Sequence, residues 1–85
     1  MENENNKSGQ PNQHQPANQV KFTPTELKII HLLCAEKTTE DIARELNIHK
    51  RTVDRHRQKL LAKTGSRGVL GIVRYAIEHG IVTEF

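Results

Sequence analysis

Two helical segments follow one another with almost no chain between them, and this spacing constrains the fold more than any other feature of the sequence. The first opens at Thr38, which forms a capping box with Asp41, and closes at Asn47, a residue that tolerates the left-handed conformation of a helix end. The second runs over about residues 50–64 and is ended by Gly65. Two short helices joined by so tight a turn predict a helix-turn-helix unit.

The second helix of this unit has one apolar face and one polar face. Val53, His56 and Leu60 recur at i, i+3 and i+7, so we expect them to point into the core. The opposite face is expected to be exposed and carries Arg51, Asp54, Arg55 and Gln58. One side of this helix is therefore available to a partner.

A further helix precedes the unit. Thr23 as N-cap, Pro24 at the first helical position and Glu26 three residues after the cap predict a helix over about residues 24–36. Its apolar residues at helical spacing are Leu27, Ile30, Leu33 and Cys34.

The last predicted helix covers about residues 69–79 and ends at Gly80, with Ile81 placed to fold back in a Schellman arrangement. Its apolar arc is too wide for one core contact. We expect the core half to comprise Val69, Ile72 and Ala76. We expect the half that faces a partner to comprise Leu70, Val73 and Ile77.

Charge is distributed unevenly along the chain. The net charge is +3 and the pI about 9.3, yet residues 50–67 hold seven basic residues against the single acid Asp54. The segment before them is acidic. A basic helix with a free face is suited to DNA, because a helix fits the major groove, where each base pair displays a distinct pattern of donors and acceptors.

The remaining composition limits the class of protein. Residues 1–20 contain five Asn, four Gln and no Leu, Ile or Phe, which predicts a disordered tail or linker. One cysteine cannot form an internal disulfide, and the sequence has neither a signal-peptide pattern nor a long apolar run. We expect a cytoplasmic protein with no membrane partner.

Residues 22–82 resemble the LuxR-type (NarL/FixJ) DNA-binding domain without a gap. The stretch "FTPTE" matches the family's Leu-Thr-x-x-Glu opening, "EDIARELNI" its scaffold helix, and "TVDRH", with Leu60 four residues further on, its recognition helix. The resemblance implies an all-α, four-helix helix-turn-helix domain over residues 21–85. Such domains are usually output halves of two-component response regulators or of signal-binding activators, and they dimerise on inverted repeats through the last helix.

The resemblance also implies which residues meet DNA. Base reading in the family falls just after the Thr-Val pair, here on Asp54, Arg55 and Gln58, and we add Arg51 from the same face. The candidate phosphate contacts are Lys50, Thr52, Arg57, Lys59 and Lys63. Arg51 is a candidate for phosphate contact as well.

Asp54 has two interpretations. Its carboxylate could accept a hydrogen bond from cytosine N4 in the major groove. It could instead pair along the helix with Lys50 or Arg57.

Three departures from the family pattern affect the helix ends. His49 stands where a Ser N-cap is usual, Glu36 replaces a common Gly, and "KTGS" replaces a more usual Lys-Leu-Gly-Val.

No catalytic or metal-binding pattern is recognisable. His56 lacks ligand-type neighbours at metal-binding spacing, so we interpret it as a packed, hydrogen-bonded core histidine. Cys34 is interpreted as small core filler. We expect neither an enzyme, a cofactor nor a metal site.

Three functional alternatives remain open. The leading one is a sequence-specific transcription regulator that binds double-stranded DNA as a homodimer, with RNA polymerase a further candidate partner. A promoter-reading fourth region of a sigma factor has a similar helix-turn-helix pattern. A protein-interaction module could use the same basic face on an acidic partner. With no receiver domain in the 85 residues, we expect an excised output domain or a stand-alone regulator.

Overall fold

A computed structural model describes residues 20–83 of the chain. This part contains four α-helices and no strand: α1 (Pro24–Cys34), α2 (Thr39–Leu46), α3 (Lys50–Thr64) and α4 (Val69–Glu78). The all-α, four-helix prediction is confirmed. The predicted tail over residues 1–20 lies, apart from Val20, outside the described residues.

The starts of α1 and α2 are held by the two predicted capping boxes. The Glu26 amide donates to Thr23 Oγ1 at 3.1 Å, and the Thr23 amide donates to Glu26 Oε1 at 2.9 Å. In α2 the Asp41 amide donates to Thr38 Oγ1 at 3.0 Å, and the Thr38 amide donates to Asp41 Oδ2 at 3.1 Å. Each box satisfies two backbone donors that a helix start otherwise leaves unpaired.

All four helices are followed by a residue with positive φ. These residues are Glu36 (φ 63°), Asn47 (φ 58°), Gly65 (φ 65°) and Gly80 (φ 71°). After each of them, the next amide donates to a carbonyl five residues back, as the Ile81 amide does to Ala76 O at 2.8 Å. The predicted Schellman ending of α4 is confirmed, although α4 stops at Glu78. Helix α1 ends at Cys34, earlier than predicted, because the left-handed turn is made at Glu36.

The core lies where α1, α3 and α4 meet and is extended by α2. Its buried apolar side chains are Ile29, Ile30, Leu33, Ile42, Ala43, Val53, Leu60, Ile72, Ala76 and Val82. The inward halves predicted for α3 and α4 are largely confirmed, with Val69 only half-buried. In α1, Ile29 is fully buried although the helical spacing did not single it out. Leu27 and Cys34, the second of which was predicted to fill the core, are half-buried and pack against it.

A close approach between the α3–α4 connection and α4 requires a glycine. A Cβ built at Gly71 would lie 2.6 Å from both Cβ and Oγ of Ser66. The Ser66 hydroxyl is in turn 2.6 Å from Thr64 Oγ1, which also donates to Leu60 O at 2.8 Å. Polar contacts thus occupy the end of α3 and the connection after it, where the sequence departs from the family pattern.

Within residues 20–83, none of the helices combines the length and apolar character needed to cross a bilayer.

Candidate nucleic-acid interface

Helix α3 is anchored by its inner face. Val53 and Leu60 are fully buried, and His56 is half-buried beside them. The predicted packing of His56 is confirmed only in part, since the residue is half-buried. The predicted hydrogen bond is wrong for its buried Nδ1, which has no partner among the described residues. Because this face is fixed in the core, the orientation of the opposite face is fixed as well.

The opposite face of α3 is open to solvent along its length. The exposed residues on it include all four candidate base contacts, Arg51, Asp54, Arg55 and Gln58, together with Lys59. The predicted exposure is confirmed for each of them. A run of arginine, glutamine and carboxylate groups on one rigid helix presents donors and acceptors in a fixed order, which is the chemistry needed to read base edges.

The start of α3 is held by an ion pair to α2 rather than by a side-chain cap. His49 occupies the N-cap position without a side-chain hydrogen bond. Lys50 Nζ lies 3.4 Å from Glu40 Oε2, and both side chains remain more than half exposed. Lys50 therefore pairs across the turn and not with Asp54, which removes one of the two intrahelical partners considered for that carboxylate.

Arg57 lies between α2 and Asp54. Its Nη1 donates to Thr39 Oγ1 at 3.0 Å and is 3.6 Å from Asp54 Oδ1. The separation from Asp54 is that of a loose ion pair rather than a hydrogen bond. The Asp54 side chain remains 59% exposed, so the neighbouring charge leaves it accessible.

Lys63 has a different environment from the other basic residues of α3. Its Nζ lies 2.7 Å from Oε1 of Glu26, which is buried, and donates to the Lys21 carbonyl at 3.0 Å. The same ammonium is 5.7 Å from the centre of the Phe22 ring. Of the five candidate phosphate contacts, Lys63 is thus the one whose ammonium forms an ion pair with a buried carboxylate.

The electrostatics of Glu26 follow from this pair. Burial alone raises the pKa of the Glu26 carboxyl, but hydrogen bonds from Lys63 and from the Thr23 amide more than compensate, so the pKa is lowered. Glu26 therefore stays ionised at neutral pH, and the ion pair ties the start of α1 to the end of α3.

A second exposed surface lies on α4. Leu70 is 80% exposed and Ile77 50% exposed, while Val73 between them is half-buried. These three residues line a shallow apolar groove whose other wall includes Leu33 and Cys34 of α1. The outward half predicted for α4 is therefore a continuous apolar stripe in this structure.

Residues 20–83 hold no cluster of three or more His, Cys, Asp or Glu side chains placed to bind a metal ion. Burial raises the pKa of the Cys34 thiol, which disfavours the nucleophilic thiolate.

Comparison with known proteins decides the family. The sequence profile of the bacterial regulatory proteins of the luxR family matches residues 20–76, which include all four helices except the last two residues of α4. This chain belongs to the luxR family. The match agrees with the resemblance read from the sequence motifs and favours it over the sigma-factor alternative.

Named relatives of this LuxR-family domain are regulators. It is 39% identical over 63 residues to the transcriptional regulatory protein MctR of Rhizobium johnstonii, covering 74% of this chain and 29% of that protein. It is 33% identical over 64 residues to the probable transcriptional regulator ycf29 of Cyanophora paradoxa, covering 75% and 30%. It is 32% identical over 60 residues to the response regulator Rre1 of Synechocystis sp., covering 71% and 26%.

The chain spans less than a third of the length of each of these relatives. No solved structure matches it significantly. The matched family consists of regulatory proteins and not of enzymes.

Sequence reasoning on the LuxR-family domain missed the partners that α1 and α2 supply to α3. Glu26 was recognised only as a capping residue, and neither Thr39 nor Glu40 was singled out. Lys63 and Glu26 are 37 residues apart, and Arg57 and Thr39 are 18 apart. A single sequence carries no signal for such pairs beyond the placement of polar residues beside apolar faces.

Proposed function

We propose that this LuxR-family domain binds double-stranded DNA sequence-specifically, with α3 in the major groove, as the DNA-binding part of a transcription regulator. One observation carries the proposal: the outer face of α3 is exposed and rich in groups that read bases, while its inner face is fixed in the core. The names of the relatives, which include a response regulator, support the same class.

Three side chains are proposed to read bases. Arg55 is suited to fork onto guanine O6 and N7, Gln58 to pair with adenine, and Asp54 to accept from cytosine N4. Arg51 lies on the same exposed face, one turn before Arg55, and would reach a neighbouring base pair or its phosphate. Each bidentate contact of this kind contributes about 1 to 3 kcal/mol of discrimination against a wrong base.

The phosphate contacts are proposed to flank these residues. Lys59 is exposed and has no partner among the ion pairs of residues 20–83, whereas Lys50 would exchange Glu40 for a phosphate. Thr52 is half-buried beside the outer face. Lys63 is omitted from this set, because a phosphate contact would separate its ammonium from the buried Glu26 carboxylate.

The domain is proposed to bind as a homodimer through the apolar stripe Leu70, Val73 and Ile77. A mostly exposed leucine and a half-exposed isoleucine on one helix face favour contact with a second copy. A two-fold arrangement of two recognition helices would select an inverted repeat. Such a regulator would act in the cytoplasm, and RNA polymerase would be its next partner on DNA.

Fluorescence anisotropy with a selected duplex tests the proposal. Arg55→Ala should weaken binding to that duplex by about 1 to 3 kcal/mol and relax one base position. Lys59→Ala, which removes an equal charge from the same helix, should weaken all sequences alike. Equal affinity of Arg55→Ala and the parent on every duplex would remove Arg55 from the base-reading set.

A further inference from the structure

The guanidinium of Arg57 in α3 lies close to both helix α2 and the Asp54 carboxylate. Its Nη1 donates to Thr39 Oγ1, 3.0 Å away at the start of α2, and lies 3.6 Å from Asp54 Oδ1. A single nitrogen atom thus connects the scaffold helix to the acid on the outer face of α3. Arg51 and Arg55 on the same helix are exposed, whereas only 33% of the Arg57 side chain is.

Packing restricts where this guanidinium can go. Arg57 lines the apolar groove together with Leu33 and Val73, and its buried Nε makes no hydrogen bond to the described residues. Moving the guanidinium to a DNA phosphate would break the bond to Thr39 and withdraw the stem from the groove. The geometry therefore suits a fixed positive charge better than a mobile phosphate contact.

Asp54 needs such a fixed charge if it is to face DNA. A carboxylate placed near a polyanion is repelled by the phosphates, and a mostly exposed side chain can turn away from the base edge. Lys50, one turn earlier, is already paired with Glu40. Arg57 is three residues after Asp54 on the same helix and is itself anchored, so it can hold the carboxylate without following it.

We infer that Arg57 is a positioning residue for base reading: the Thr39 hydroxyl anchors its guanidinium, which holds the Asp54 carboxylate toward the groove. This inference rests on the proposed function. It adds which residues set the base preference at one position of the DNA site. It replaces the phosphate role that the sequence predicts for Arg57. Thr39, on a different helix, becomes a remote determinant of the base that Asp54 reads.

The experiment measures affinities of the full chain for the selected duplex and for single-base variants at each position. Asp54→Ala defines the base position that the carboxylate reads. Arg57→Gln and Thr39→Val should each lose about fivefold or more of the preference at that same position. Thr39→Ser, which retains the hydroxyl, should retain the preference. In the Asp54→Ala background, Arg57→Gln should produce no further loss there.

Lys59→Gln is the matched control, because it removes one positive charge from the same helix without touching Asp54. If Arg57→Gln and Thr39→Val weaken all duplexes equally, as this control is expected to do, Arg57 is a phosphate contact and the inference fails. It also fails if Asp54→Ala leaves every base preference unchanged, although the proposed function then stands on Arg55 and Gln58. If the parent prefers no sequence at all, the proposed function itself fails.

Thermal unfolding of each variant shows whether that variant still folds. Should Arg57→Gln prove unfolded, the comparison of Thr39→Val with Thr39→Ser decides the inference. Thr39→Val replaces the hydroxyl that anchors Arg57 by a methyl group, whereas Thr39→Ser keeps this hydroxyl and loses only the γ-methyl. Equal base preferences in these two folded variants would overturn it.

Discussion

The Nζ atom of Lys63, at the end of α3, lies 2.7 Å from Oε1 of Glu26, a carboxylate buried at the start of α1. The pair joins residues that are 37 positions apart and is supported by the Thr23 amide and the Lys21 carbonyl. The Glu26 carboxylate is buried, whereas the Lys63 side chain is 32% exposed. Removing the cation leaves the buried carboxylate without its compensating charge, which is destabilising. This contact gives Lys63 a structural role at the end of α3.

Lys63→Met should therefore lower the free energy of unfolding by about 2 to 4 kcal/mol, even though the methionine retains most of the apolar stem. Lys59→Met is the control, since Lys59 is exposed on the same helix, and its effect should stay within about 0.5 kcal/mol. Urea denaturation followed by circular dichroism measures both. A stable Lys63→Met variant with DNA binding as weak as that of Lys59→Met would instead support the phosphate role predicted from the sequence.

The same ion pair makes stability depend on pH. The pKa of Glu26 is lowered in the folded state, so its contribution is fully present above the ordinary glutamate pKa of about 4.3. The contribution is lost as the pH falls through the lowered folded value. The difference in unfolding free energy between the parent and Glu26→Gln should be constant near neutral pH and shrink in acid. A difference that grows below pH 4, by urea titration at stepped pH, would contradict this sign.

The turn after α1 contains a residue, Glu36, whose replacement by glycine should stabilise the fold. Glu36 has φ 63°, a conformation that disfavours residues with a Cβ. Glu36→Gly should raise the free energy of unfolding by about 1 kcal/mol. Ala35→Gly, at the neighbouring position with φ −85°, should lower it by roughly 0.5 to 1 kcal/mol. Thermal melts compare them, and destabilisation by both substitutions would show that the Glu36 side chain matters more than its backbone.

Much of this fold follows from local signals in the sequence. The capping boxes at Thr23 and Thr38 predict where α1 and α2 begin, and Gly65 and Gly80 predict where α3 and α4 end, because each signal acts within five residues. The inward and outward faces of α3 follow from its periodicity. The burial of Ile29 and Glu26 does not, since it depends on which side of α1 the other helices cover.

The candidate site, like the fold, was predictable from the sequence only in part. Exposure of Asp54, Arg55 and Gln58 was predictable from helical spacing, whereas the engagement of Lys63 with Glu26 and of Lys50 with Glu40 was not. Those pairs depend on how α1 and α2 pack against α3, and basic residues close together in sequence give no indication of which ones have an acidic partner. A charge count alone therefore does not show which lysines already have an acidic partner in the fold.

The apolar stripe on α4 makes a separate prediction about assembly. Leu70→Asp places a charge on the most exposed leucine without entering the core, so the fold should persist. Binding to a duplex with two inverted half-sites should fall, while binding to a duplex with one half-site should be unchanged. The single half-site serves as the control within the same variant. Sedimentation of both complexes measures the effect, and an unchanged two-to-one complex would place the dimer contact elsewhere.

The proposed reading of DNA sequence by the outer face of α3 should be measured by selecting binding sites from random duplex DNA. Parent and Asp54→Ala would be selected in parallel at one fixed salt concentration. If α3 reads bases as proposed, an inverted repeat should be enriched for the parent, and one base position in each half-site should be relaxed for the variant. If no sequence is enriched and no salt-dependent binding to DNA is found, the basic face of this LuxR-family domain serves another partner.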